Sequence, residues 1–197
     1  MEHYFTNNES LKSEFRTIHY ENNGVSFDFT SDLGVFSKDK IDYGSRVLVD
    51  TYIKEGKKGV KLLDVGCGYG FIGITLNKIM ECDVTMCDVN KRAVHLANMN
   101  IKNMKLNKAV SIESDVYTNI SDKFDLVITN PPIRAGKVTV LNILRGASDY
   151  LNQDGELWYV IRKDQGALSI NKNIEDIYNL TVLEKSKGFF VVKAVKK

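Results

Sequence analysis

Asn130-Pro131-Pro132 is the segment of this chain whose residue types are hardest to explain as scaffolding. It follows the apolar run Leu126-Val127-Ile128-Thr129 and continues as Ile133-Arg134-Ala135-Gly136-Lys137. Two consecutive prolines stiffen the backbone and remove two amide donors, so the carbonyl oxygens there meet no competing N–H groups nearby. An Asn side-chain oxygen and a proline carbonyl can then both accept from one NH₂ group. Held this way, an exocyclic amine turns its nitrogen lone pair out of conjugation and toward an electrophile. Asn130, Pro131, Pro132 and Ile133 form the candidate catalytic segment. The trailing Gly136-Lys137 is no phosphate loop, because no glycine stands five positions before Gly136 and Val138 replaces the Ser or Thr such a loop needs.

A second constellation lies upstream, at Asp64-Val65-Gly66-Cys67-Gly68-Tyr69-Gly70-Phe71-Ile72-Gly73. Alternate glycines after an expected strand let the backbone turn sharply and pass close to a ligand. A helix is expected at once, so its first amides face the same crevice. The spacing is G-x-G-x-G, not the G-x-G-x-x-G of dinucleotide-binding folds. Asp88 follows at the end of the next expected strand, where a carboxylate accepts hydrogen bonds from ribose hydroxyls. Asp88 could equally cap the helix after it, a role for which Asn90 competes. Ser114-Asp115-Val116 ends a third strand, where a carboxylate can accept an exocyclic amine of adenine.

These segments need a frame, and the hydrophobic pattern supplies one. Residues 60–65, 83–87, 109–113, 124–129 and 155–161 read as strands; 71–80, 91–103 and 138–151 read as helices between them. Strand–helix alternation implies a parallel α/β sheet. The end differs: 181–185 and 189–195 flank Lys187-Gly188 as an antiparallel hairpin. Before the alternation, 16–20 and 25–29 flank Glu21-Asn22-Asn23-Gly24, a hairpin turn signal, and 41–53 reads as a helix. The expected organisation is an N-terminal β-hairpin extension, 1–38, and an α/β domain, 39–197.

Composition narrows the setting. The chain has 197 residues, 43% hydrophobic and 26% charged, which suits a single folded domain and argues against disorder. No apolar stretch is long enough for a membrane helix. The start, Met1-Glu2-His3-Tyr4-Phe5-Thr6-Asn7-Asn8, lacks the basic flank and apolar centre of a secretion signal, so the cytosol is the expected compartment. Cys67, Cys82 and Cys87 form no metal-binding spacing and read as buried, reduced thiols; no metal is expected. Residues 131–197 carry 11 Lys and Arg against 7 Asp and Glu, a basic bias that permits a polyanionic partner without demanding one.

Together, DVGCGYG, the strand-end Asp88, SDV and NPP resemble the class I S-adenosylmethionine-dependent methyltransferases, over residues 60 to 197 and including the terminal hairpin. Asp-Leu-Gly-Val-Phe-Ser at 32–37, with NPPIRAGK at 130–137, is more narrowly similar to the small-subunit (16S) ribosomal RNA guanine-N2 methyltransferases, in their compact single-domain bacterial branch. The resemblance implies a Rossmann-like, mostly parallel sheet and S-adenosylmethionine as cofactor. Gly66, Gly68 and Gly70, with Cys67, would admit its methionine part. Asp64 would support the loop and the ammonium group. Asp88 and Val89 would meet the ribose, Asp115 and Val116 the adenine, and Asn130 would border both cofactor and substrate. Implied partners are ribosomal RNA or the small ribosomal subunit. The sequence departs from the family pattern at Ile133, where amino methyltransferases commonly carry an aromatic that stacks on the base. Phe36 is the expected substitute, with Arg134, Lys137 and the C-terminal lysines as candidate phosphate contacts. DNA adenine, a protein glutamine amide, or cofactor binding without catalysis are the alternatives.

Overall fold

Nine strands and five helices carry the candidate residues, in a computed structural model that describes residues 12–197. The polar start at Met1–Asn8, which bore on the secretion reading, lies outside the described residues. The antiparallel pair β1 (Arg16–Asn22) and β2 (Val25–Ser31) comes first. Asn23 and Gly24, at φ 50° and 73°, make the two-residue turn whose left-handed backbone suits Asn-Gly. Then follow α1 (Tyr43–Glu55), β3 (Lys61–Val65), α2 (Phe71–Met80), β4 (Asp83–Asp88), α3 (Lys91–Asn103) and β5 (Ala109–Glu113). The second half comprises β6 (Phe124–Thr129), α4 (Lys137–Tyr150), β7 (Leu151–Arg162), α5 (Ala167–Lys172), β8 (Tyr178–Ser186) and β9 (Phe189–Lys196).

β3 to β9 form one sheet in the order β5-β4-β3-β6-β7-β9-β8. The first five strands in that order run parallel, while β9 pairs antiparallel with both β7 and β8. This is a Rossmann-like sheet closed by an antiparallel hairpin. Its central strands are buried on both faces, which is why Leu62-Leu63 and Leu126-Val127-Ile128 are continuous apolar runs and not alternations. The strand order reverses at β3 and β6. Loops leaving their carboxyl ends diverge there and open a crevice. The glycine loop leaves β3, and Asn130 leaves β6.

One face of the sheet is covered by α1, α2 and α3, and the hairpin adds Ile18, Phe27 and Phe29 to their core. Asn100 in α3 ties the hairpin down: its side chain accepts from the Thr30 amide (2.8 Å) and donates to the carbonyls of Thr30 and Tyr69 (both 2.9 Å). The other face is covered by α4 and α5.

Boundaries depart from the sequence reading in four places. Asp42 caps α1 by accepting from the Ser45 amide, so the helix starts at Tyr43 and not Ile41. α4 stops at Tyr150, because Leu151 pairs with Phe124 and opens β7 four residues early, ahead of a bulge before Glu156. β8 begins at Tyr178, where a buried tyrosine joins the sheet before the more apolar run. α5, six residues long, is too short to leave a helical period in the sequence.

Candidate active site

Asp64 is fully buried at the end of β3, and its Oδ2 accepts from the Gly73 amide in the first turn of α2 (3.0 Å). That turn has no cap of its own, since Gly70 at the N-cap lacks a side chain, so the strand supplies the missing acceptor. Asp64 Oδ1 is buried without a hydrogen-bond partner. Burial is the main reason the carboxyl is pushed up to about 7, with the nearby Asp88 adding to it and the Gly73 hydrogen bond opposing it.

The three loop glycines do different work. Gly66 and Gly68 have φ of 75° and 56°, and a Cβ at either would meet no protein atom within 4 Å. Side chains there would project into open space. Gly70 instead sits where α2 packs on α3: a Cβ would lie 2.8 Å from Ile74 Cδ1 and 3.3 Å from Ala97 Cβ. The amides of Gly66 and Cys67 bond the Cys87 carbonyl (2.8 and 3.0 Å), and the Gly68 amide bonds Asp88 Oδ2 (2.9 Å). Asp88 Oδ1 accepts from the Asn90 amide (2.9 Å), so this carboxylate holds the loop as well as facing the cavity. Burial raises its pKa against those hydrogen bonds. Asn90 is the cap of α3, accepting from the Arg92 amide.

A cavity of about 370 Å³ lies over these ends. Gly66, Gly68, Asp88, Val89, Asp115, Val116, Asn130, Pro131 and Pro132 line it. So the structure brings together residues that span the chain from position 66 to 132. It adds Ala93, Thr139 and Ile143, whose ordinary side chains carry no signal in the sequence. Asp64 lies beneath the floor, and Gly70 stands at the helix junction and not in the wall. Cys67 borders a smaller adjoining cavity with its thiol 3.7 Å from Ser111 Oγ, and burial pushes that thiol well up. All three cysteines are buried and unpaired by disulfides.

Asn130 stands where this cavity meets an open groove of about 500 Å³. The groove is walled by Phe36, Lys38, Lys40, Ile133, Arg134, Arg162 and Phe189, among others. Phe36 borders both spaces. Arg134 therefore lies in the groove, but Lys137 does not line it and bonds Ser169 Oγ instead (2.8 Å). The Arg162 guanidinium lies over the Phe189 ring (5.4 Å). Neither Arg162 nor Phe189 was found from sequence, because a strand end and a hairpin give no hint that they share a groove.

The Asn130 amide nitrogen donates to Asp42 Oδ2 and to Ser45 Oγ, each at 2.9 Å. With both N–H bonds so directed, its oxygen is the end that remains for a ligand. Pro132's carbonyl accepts from the Ala135 amide (2.9 Å), which leaves Pro131's carbonyl as the second acceptor of the segment. Asp42 and Ser45 were also missed. Nothing in a polar residue near a helix start indicates a partner 85 or more residues away.

Among the described residues no cluster of three or more His, Cys, Asp or Glu is arranged to hold a metal, and no helix is long and apolar enough to cross a membrane.

Comparison with known proteins places these features. The family model described as "Methyltransferase small domain" matches residues 26–193. An uncharacterized Bacillus subtilis protein, YbxB, is 40% identical over 199 residues, covering 99% of this chain and 98% of that one. Ribosomal RNA small subunit methyltransferase C of Photorhabdus laumondii is 40% identical over 129 residues, but the match covers 63% of this chain and only 37% of that protein. Among solved structures, the 16S rRNA N2 methyltransferase of T. thermophilus, in complex with AdoMet and guanosine, superposes with a TM-score of 0.82 over 95% of this chain and 52% of that one, at 23% identity. A ribosomal protein L11 methylase from Lactobacillus delbrueckii shares the fold at a TM-score of 0.70 and 18% identity.

Proposed function

This chain belongs to the methyltransferase small domain family of S-adenosylmethionine-dependent enzymes, and we propose that it methylates an exocyclic amine of an RNA base, guanine N2 of small-subunit ribosomal RNA in the cytoplasm. Its cofactor is S-adenosylmethionine. The residues present suit that molecule. The orphaned Asp64 Oδ1 offers a buried acceptor toward an ammonium group, directly or through water, and open space stands where Cβ atoms of residues 66 and 68 would be. Asp88 and Val89 would border the ribose, and Asp115 and Val116 the adenine.

When bound, the cofactor supplies a methyl carbon already activated by a sulfonium sulfur. What the protein must add is position, and neither a metal nor a strong general base is required for that. Asn130 Oδ1 and the Pro131 carbonyl would accept the two N–H bonds of the incoming amine. Their pull localises the nitrogen lone pair and aims it at the cavity side of Asn130. Phe36 would lie against the base in place of the aromatic that Ile133 replaces. Arg134 and the lysines of the groove would meet phosphates. A base stacked in a helix cannot reach this depth, so the target must be unpaired or flipped out.

The observation that carries this reading is Asn130: it lines both the cavity and the groove of aromatic and basic side chains, and Asp42 and Ser45 engage its amide nitrogen, which leaves its oxygen for a ligand. The test is methyl transfer from labelled S-adenosylmethionine to naked 16S RNA, assembled small subunits, DNA and protein, followed by nucleoside analysis. Label recovered as N2-methylguanosine supports the proposal. Label on adenine or on a protein amide moves the reaction to the alternative substrates.

A further inference from the structure

Asn130 can present two faces to a ligand, an oxygen that accepts or an NH₂ that donates, and the two are nearly isosteric. Only the accepting face can hold an amine. The choice is made by the start of α1. Asp42 Oδ2 and Ser45 Oγ both lie 2.9 Å from Asn130 Nδ2. An ionised carboxylate only accepts, so an Asn130 flipped by half a turn would set oxygen against oxygen at Asp42. Asp42 is itself fixed, because the same Oδ2 accepts from the Ser45 amide at 2.8 Å. The helix start is fixed in turn from the far end of the chain: Tyr43 Oη bonds Ser186 Oγ at 2.8 Å, and a Cβ on Gly44 would stand 2.7 Å from the Phe189 ring.

We infer that Asp42 and Ser45 are positioning residues that lock the Asn130 amide with its oxygen toward the substrate. The inference rests on the amine-holding role given to Asn130 above. It adds that the first turn of α1, which borders a small cavity with the glycine loop, sets the polarity of the substrate site. Asp42 has a second duty as the α1 cap, and the test must separate the two.

Asp42→Ser keeps a capping side chain but is too short to restrain Asn130 in the same way. It should lower kcat about 10- to 100-fold, with KM for S-adenosylmethionine within about twofold, the pattern of a contact felt in the transition state. Asp42→Asn can place its carbonyl oxygen where Oδ2 stands, and should recover activity to within about fivefold of the native protein. Ser45→Ala removes one acceptor of two and should cost about three- to tenfold in kcat. In an Asn130→Ala background, Asp42→Ser and Ser45→Ala should each cost less than about twofold more, since the group they orient is gone. A full loss persisting in that background would make them structural and overturn the inference, as would an unchanged kcat in both single variants. A spectroscopic arm is independent of the substrate assignment. The Asn130 side-chain amide resonances, identified by their absence from Asn130→Ala, should shift in Ser45→Ala and in Asp42→Ser while resonances of the α1 interior stay in place. Resonances that do not move refute the lock even if the protein methylates some other substrate.

Discussion

The two walls of the site are built in opposite ways. The wall proposed for the cofactor runs from Gly66 to Val116, and consecutive strand ends supply it: β3 gives the glycine loop, β4 gives Asp88, and the residues after β5 give Asp115. Its hydrogen bonds join neighbours in the sheet, such as the Gly68 amide to Asp88. The wall proposed for the substrate draws on the loop before α1, the end of β6, the end of β7 and the start of β9, so that Phe36, Asn130, Arg162 and Phe189 meet across the length of the chain. The first wall follows from topology that any parallel sheet of this order repeats. The second depends on how the hairpin loop and the closing strands dock. On the proposed assignment, a local motif suffices for the cofactor, whereas substrate choice is a tertiary property.

If the walls are separable, one substitution in each should give complementary defects. Asn130→Ala should produce the largest effect: turnover lower by about 10²-fold or more, as for a lost preorganised polar contact, with the fold and cofactor affinity retained. Stopped single-turnover assays beside calorimetry would show it. A raised KM with near-normal turnover would make Asn130 a uniform binder and blur the division.

Asp88→Ala should do the reverse. It removes a carboxylate that orders the glycine loop and faces the cavity, so S-adenosylmethionine binding should weaken by about 1–3 kcal/mol, or roughly 5- to 150-fold. Turnover at saturating cofactor should change far less. Unchanged calorimetric affinity in a folded variant would remove Asp88 from the cofactor wall.

Asp64 gives a smaller, pH-dependent signature. Its carboxyl, raised to about 7 in the fold chiefly by burial, holds a proton that the unfolded chain releases near 4. The folded state thus binds more protons across that interval, and the cofactor-free protein should lose stability as pH rises from about 4 to about 7. Cofactor affinity should move the opposite way, rising through pH 7 as the carboxylate forms to meet the ammonium. Thermal melts with and without S-adenosylmethionine would therefore diverge as pH increases. Asp64→Asn should flatten the dependence; an unaltered profile would mean that Asp64 serves only to cap α2.

The smallest effect belongs to single phosphate contacts in the groove. Arg134→Gln should lower RNA affinity a few-fold and reduce the slope of log affinity against log salt by about 1. S-adenosylmethionine binding should not respond. An unchanged slope would remove Arg134 from the RNA-facing wall.

What the sequence determined by itself is what local physics encodes. Strand–helix alternation announced a parallel α/β sheet, and glycines at alternate positions after Asp64 announced a backbone passing close to a ligand. Asn130 before two prolines announced paired acceptors, and Asn23-Gly24 announced a hairpin turn. Each of these signals lies within a few residues, where steric and hydrogen-bonding rules act directly on the chain. Tertiary structure alone decided the rest. Asp42 gives no signal until the fold brings Asn130 to it from 88 positions later, and Arg162 and Phe189 give none until β7 and β9 pair. α5 and the early start of β7 were hidden because a six-residue helix and a polar strand opening carry too little periodicity to declare themselves. The orientation of the Asn130 amide belongs to this second group. An amide's two ends have the same size and shape, so packing cannot distinguish them, and only the acceptors that the fold brings to Nδ2 fix which end faces the substrate.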